Sequence, residues 1–185
     1  MLIDEGVYNE SVVVETDNIV IRGVDRQTVV LDGEHSEEMA NGIIVFSNGV
    51  AVENLTVKNY FSNGVFFTGD YDSDFILRGY RVSYVNALNN RVYGIYAFNA
   101  EYGLFDNTYA AGHTDSGYYI GQCQPCNAVL SNNLSEYNTL AYSGTNAGGD
   151  LFIVNNEFRM NRIGVTPNTL NSEELAPQRG ATFAL

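Results

Sequence analysis

The chain has 185 residues, enough for one domain with a sizeable core. Hydrophobic residues make up 45% of it, which excludes disorder as the main state. Acidic side chains outnumber basic ones 22 to 9, and the formal charge of −13 argues against nucleic acid or an anionic membrane surface as partner, because both demand Lys and Arg. Gly (18), Tyr (13) and Phe (10) are plentiful and Trp is absent, a profile that suits a β-rich extracellular or cell-envelope protein. No apolar run approaches the roughly 20 residues of a membrane span. Met1-Leu-Ile-Asp-Glu5 has neither the basic start nor the apolar stretch of a signal peptide. The last residues, Ala181-Thr-Phe-Ala-Leu185, read as the middle of a strand, so the chain is expected to be a piece of something longer.

In chain order, short alternating runs bounded by Gly, Asn and Asp predict strands throughout, and no segment sustains a helical apolar period. A first rung, Asn18-Ile-Val-Ile-Arg-Gly23, is followed by runs that each begin at a small residue. They are Asn41-Gly-Ile-Ile-Val-Phe46, Asn63-Gly-Val-Phe-Phe-Thr68, Tyr93-Gly-Ile-Tyr-Ala-Phe98 and Ser116-Gly-Tyr-Tyr-Ile-Gly121, with weaker copies at Leu140 and Ile163. Their anchors, Gly42, Gly64, Gly94, Gly117, Ala141 and Gly164, are separated by 22, 30, 23, 24 and 23 residues. A second column trails them at Asn54, Asn107, Asn133 and Asn156. Two columns sharing one period predict a solenoid. The rungs carry Ile, Val, Phe, Tyr and Asn where a leucine-rich repeat needs Leu, so the expected coil is a parallel β-helix. Asn suits its corners, because it tolerates the left-handed conformation and bonds neighbouring backbone.

On these rungs the sequence resembles the right-handed parallel β-helix proteins of the pectin-lyase-like superfamily, from about Gly6 to Pro167. Gly6-Val-Tyr-Asn-Glu-Ser-Val-Val13 is similar to the segment that enters the first coil in that family. The resemblance implies an all-β single domain over 1–185, a right-handed solenoid of about six to seven coils. It says little of the reaction, since the family spans lyases, hydrolases, epimerases and non-catalytic adhesins. The paired aspartates, Gly-His-Gly and Arg-Ile-Lys of polygalacturonases find only Gly112-His113-Thr114 and Arg162-Ile163-Gly164 here, and the Asp-Pro-His of mannuronan epimerases is absent. Neither end offers an evident cap, so neighbouring chain or end-to-end self-association is expected.

Five groups carry candidate chemistry. The outward residues of the anchor runs read Ile44, Phe66, Tyr96, Tyr119, Ser143 and Val165. Tyr96 and Tyr119 then sit about 5 Å apart on adjacent coils, with Asn99, Gln122 and Asn146 as a polar row beside them. Aromatic faces flanked by amides are what a sugar ring needs; the same tyrosines could instead stack as a ladder. His113 lies two residues from Asp115 on a loop expected to rim that face, either a general base with its carboxylate or a plain turn. Asp70, Asp72 and Asp74 alternate in an extended segment and read as a calcium-binding stretch or a polar turn. Calcium there would reconcile an acidic protein with an acidic sugar.

The long coil holds Arg78, Arg81 and Arg91, and its extra residues are expected to form a loop on the binding side. The resemblance casts an Arg, Arg78 or Arg91, as a lyase base; ordinary ion pairs are the other reading. Cys123-Gln-Pro-Cys126 reads as a structural disulfide or buried thiol pair, because no further zinc ligands or βαβ context accompany it. His35 reads as a surface loop residue. Together these predict a polysaccharide-binding lateral face, with a uronate lyase or C5-epimerase and a purely structural or adhesive solenoid as the alternatives.

Overall fold

The computed structural model describes residues 1–70, 72–173 and 176–184. Its strands fall into three parallel sheets that the chain visits in rotation, giving a right-handed parallel β-helix. The first sheet has eight strands: Leu2–Ile3, Val20–Gly23, Val50–Glu53, Leu77–Ser83, Ala100–Asp106, Ala128–Ser131, Gly148–Val154 and Arg179–Ala184. The second has seven: Gly6–Tyr8, Val29–Asp32, Thr56–Lys58, Asn86–Leu88, Tyr109–Ala111, Leu134–Glu136 and Glu157–Arg159. The third also has seven: Val12–Val14, Asn41–Val45, Asn63–Thr68, Ile95–Phe98, Ser116–Gly121, Leu140–Thr145 and Ile163–Asn168. Among the described residues no helix is long and apolar enough to cross a membrane.

The repeat period is the coil. Along the third sheet, Ile43, Val65, Ile95, Tyr118, Tyr142 and Val165 pair in succession, at intervals of 22, 30, 23, 24 and 23 residues. These inward residues bury against Val52, Val82, Phe105, Leu130 and Ile153 of the first sheet, all 0% exposed. Val165 therefore faces the core, and the outward residue of the last coil is Thr166, paired with Ser143. The long coil spends its additional residues at 69–76, where Asp70 and Phe75 form an antiparallel bridge, well ahead of Arg91.

Most corners turn on a left-handed residue. Asn54, Tyr84, Asn107, Asn132 and Asn155 follow first-sheet strands with φ of 54 to 58°. Asn59, Asn89, Gly112, Tyr137 and Met160 follow second-sheet strands in the same way, and Asn99, Gln122 and Asn146 follow third-sheet strands. Asn fills most of these slots because its short side chain tolerates the conformation, which costs other non-glycine residues roughly 1–2 kcal/mol.

Two asparagine ladders run inside the corners. In one, Asn133 Oδ1 accepts from Thr108 N at 2.9 Å and Asn156 Oδ1 from Asn133 N at 3.0 Å, while Asn133 and Asn156 donate to Phe105 and Leu130 carbonyls. The other links Asn90, His113, Asn138 and Asn161: each accepts from the backbone N–H one coil earlier, and each donates to a carbonyl of the preceding second-sheet strand. Such bonds satisfy buried backbone donors that a corner would otherwise orphan, at about 1 kcal/mol each. The anchor glycines make room for this second ladder. A Cβ on Gly64 would lie 2.6 Å from Asn90 Nδ2, and one on Gly94 would lie 2.6 Å from His113 Nε2.

Candidate functional site

Outside the first corner, an open groove of two hollows meets at Tyr84. The larger, about 660 Å³, is lined by Arg26, Tyr84, Tyr109, Asn107, Asn132 and Asn155 among others. The smaller, about 410 Å³, is lined by Arg22, Glu53, Arg81, Ser83 and Asp106 on the first sheet, and again by Tyr84. From the coil of Arg22 to that of Asn155 the groove crosses five strand spacings, roughly 24 Å. Tyr84 is 53% exposed although it is aromatic. It also occupies the corner slot that Asn54, Asn107, Asn132 and Asn155 hold on four other coils, with φ of 55°.

Around Tyr84 the polar groups are fixed. Arg26 comes from an early loop and reaches along the solenoid, Nη1 lying 3.5 Å from the Asn107 carbonyl. Glu53 accepts from Arg22 Nε at 2.6 Å and from Arg81. Ser83 Oγ donates to Asp106, which also accepts from Asn107 Nδ2 at 2.5 Å. On the second sheet, Tyr109 donates its hydroxyl to Glu136 Oε1 at 2.7 Å, and Arg159 bridges Glu136 (2.8 Å) and Glu157 (2.7 Å). Burial, and then the bond to Glu136, push the Tyr109 hydroxyl up to about 12, so it stays a neutral donor. The same bond, followed by that of Arg159, holds Glu136 below the usual carboxylate range. One aromatic face among fixed amides, guanidinium groups and carboxylates can stack a sugar ring and bond its hydroxyls.

The backbone geometry has counterparts among solved structures. A pectin methylesterase variant crystallised with a hexasaccharide superposes with a TM-score of 0.61 at 14% identity, covering 90% of this chain and 56% of that one. The A-module of the mannuronan C-5 epimerase of Azotobacter vinelandii gives a TM-score of 0.55 at 13% identity, covering 91% and 67%. The chain shares the parallel β-helix fold of these two structures. It spans little more than half the length of that pectin methylesterase. No family model and no curated protein matches the sequence.

In this β-helix the residues singled out from sequence do not form one site. Tyr96 and Tyr119 pair in register on the third sheet as expected, with centroids 4.8 Å apart and rings edge to face. Their neighbours close the surface: Phe66 stacks flat on Tyr96 at 4.3 Å, and Tyr93 packs against both. Tyr119 is left 6% exposed while Phe66, Tyr93, Tyr96 and Phe98 stay half-buried, so the rings of the wall pack on one another. Asn99, Gln122 and Asn146 do form a column, but as buried corner residues. Asn99 donates to the Phe75 carbonyl at 3.1 Å, and Asn146 both donates to and accepts from Leu170, so these two hold loops.

His113 does not rim a face. It is 3% exposed and takes the place of an asparagine in the second ladder. Nδ1 lies 3.2 Å from Asn90 N and 3.0 Å from the Asn90 carbonyl, and Nε2 meets the Ala87 carbonyl at 3.1 Å; the neutral ring protonated on Nε2 accepts from Asn90 N and donates to Ala87. Burial lowers its pKa to about 4, outweighing the nearby Asn90 and Ala87 carbonyls, which favour the charged ring. Asp115 is half-buried and accepts from Ser116 Oγ at 2.7 Å, so no His–Asp pair forms.

Arg78 pairs with Glu101 at 3.4 Å, and Arg91 lies 4.3 Å over the Phe61 ring at a different corner. Asp70 caps its own turn, accepting from Asp72 N (3.0 Å) and Ser73 Oγ (2.7 Å). Among the described residues no three His, Cys, Asp or Glu side chains gather to hold a metal ion, those of Asp70, Asp72 and Asp74 included. Cys123 and Cys126 form a disulfide that closes the turn between the third and first sheets. The groove itself was missed. Its signal was available, since Ser83-Tyr84 falls on the comb of Glu53-Asn54 and Asp106-Asn107 and breaks it.

Proposed function

We propose that this β-helix binds a polysaccharide along the groove centred on Tyr84. The observation that carries the reading is the place of Tyr84: like Tyr102 and Tyr137 it is an exposed ring held left-handed, and of the three it is the one that lines both hollows of the groove. Strain retained at an exposed position points to use, because folding alone would favour its removal. The fixed hydrogen-bonding groups on either side and the length of the groove suit an extended chain of sugars. The two structural neighbours support the class of ligand, one being crystallised with a hexasaccharide and the other named for mannuronan. The disulfide Cys123–Cys126 supports an extracellular or envelope setting, where oxidising conditions preserve such bonds.

The test is affinity electrophoresis through gels containing pectate, alginate or a neutral glucan. Retardation by at least one of them, lost in Tyr84→Asn, is expected. Equal mobility of the two proteins in every gel overturns the proposal.

A further inference from the structure

A second hollow of about 430 Å³ lies at another corner, where second-sheet strands turn into third-sheet strands. It draws on four coils through His35, Phe61, Asn89, Arg91, Gly112 and Thr114. None of its lining residues is a carboxylate, on a chain whose formal charge is −13. The acidic groups nearest in the chain are engaged or turned to solvent. Asp32 pairs with Lys58 at 3.1 Å, Asp115 accepts from Ser116, and Glu34, Glu37 and Glu38 are exposed on the loop that carries His35.

The cationic side of this hollow is preorganised. Arg91 rests on the Phe61 ring at 4.3 Å, which fixes the guanidinium plane while its N–H edge stays available. Its backbone is pinned as well, since Thr114 Oγ1 donates to the Arg91 carbonyl and Arg91 N donates to the Tyr60 carbonyl at 2.9 Å. His35 N donates to the Asn59 carbonyl at 2.8 Å, which anchors the loop bringing the imidazole to the opposite wall. Gly112, with φ of 81°, lets Asn89 pack closely at this corner, since a Cβ there would lie 2.2 Å from Asn89 Oδ1.

We propose that this hollow binds a compact oxyanion, a sulfate or phosphate group, either free or carried as an ester on a sugar. A planar guanidinium fork, an imidazole and an amide line it, the kind of donor set that such groups demand. The site is separate from the Tyr84 groove and does not depend on it.

The chain has two histidines, and His113 is buried inside its ladder, so the His35 ring resonances report on this hollow alone. The intact chain is titrated with inorganic sulfate, inorganic phosphate and a sulfated monosaccharide while both histidines are followed by NMR. Saturable movement of His35 with His113 unmoved is expected for at least one probe. Arg91→Ala should weaken that titration at least tenfold, with Arg91→Lys falling between, because a point charge replaces the fork. Response to the inorganic ions supports recognition of the group itself, and response to the sugar ester alone supports the carried form. Tyr84→Asn should titrate as the parent chain does. Absence of saturable movement with all three probes, or an Arg91→Ala protein that titrates like the parent, overturns the proposal.

Discussion

The third-sheet wall around Tyr96 and Tyr119 and the corner groove around Tyr84 use the same kinds of residue, aromatic rings beside amides, to opposite ends. In the wall, rings on successive strands stand about 5 Å apart and satisfy one another, so Tyr119 is 6% exposed. In the groove, Tyr84 sits where the backbone turns, its coil neighbours are asparagines, and the ring is 53% exposed. A side chain that points outward is therefore not thereby accessible. On a solenoid face, neighbours one coil away are the first ligands any aromatic residue meets.

That contrast can be broken by substitution. Tyr119→Ala removes a packed ring from the wall and should cost about 3 kcal/mol in urea unfolding while leaving polysaccharide binding unchanged. Loss of binding without loss of stability would return the wall to the status of a site. His113 tests the interior in a similar way. Its folded pKa of about 4 lies below the ordinary value near 6.5. Above pH 6.5 the ring is neutral in both states, and below it the unfolded chain takes the proton first. Stability should therefore fall by about 3 kcal/mol between pH 6.5 and 4 and then level off. His113→Asn restores the ladder's usual occupant and should flatten that part of the profile; an unchanged profile would show that other groups govern the acid limb.

The groove should behave differently. Tyr84→Asn relieves a left-handed tyrosine and should hold or raise stability by about 1 kcal/mol while binding drops at least tenfold. Tyr109→Phe removes the hydroxyl given to Glu136 and should cost about 1 kcal/mol, with a few-fold loss of binding. If Tyr109→Phe binds as well as the parent, the second-sheet side of the groove is not in contact with ligand.

The coil was legible because period and register are one quantity: the intervals between Gly42, Gly64, Gly94, Gly117, Ala141 and Gly164 reappear as strand pairings. Asn54 and Asn107 were legible as left-handed corner residues, but Asn133 and Asn156, read in the same column, lie one residue past the left-handed Asn132 and Asn155 and form a ladder instead. His113 was misread because its neighbour Asp115 drew attention along the chain. Its physical neighbours are Asn90 and Asn138, 23 residues before it and 25 after. The hollows were not legible for the same reason, since they join side chains as distant as Arg26 and Asn107. Periodicity places residues on columns, but exposure depends on what each column stacks against.

The most direct measurement is calorimetric titration of pectate and alginate oligosaccharides into the parent chain, Tyr84→Asn and Tyr96→Phe. The account predicts saturable heat for the parent and for Tyr96→Phe with at least one of the oligosaccharides, and little or none for Tyr84→Asn at an equal or higher melting temperature. Equal heats for the parent and Tyr84→Asn, or heat abolished only in Tyr96→Phe, would contradict it.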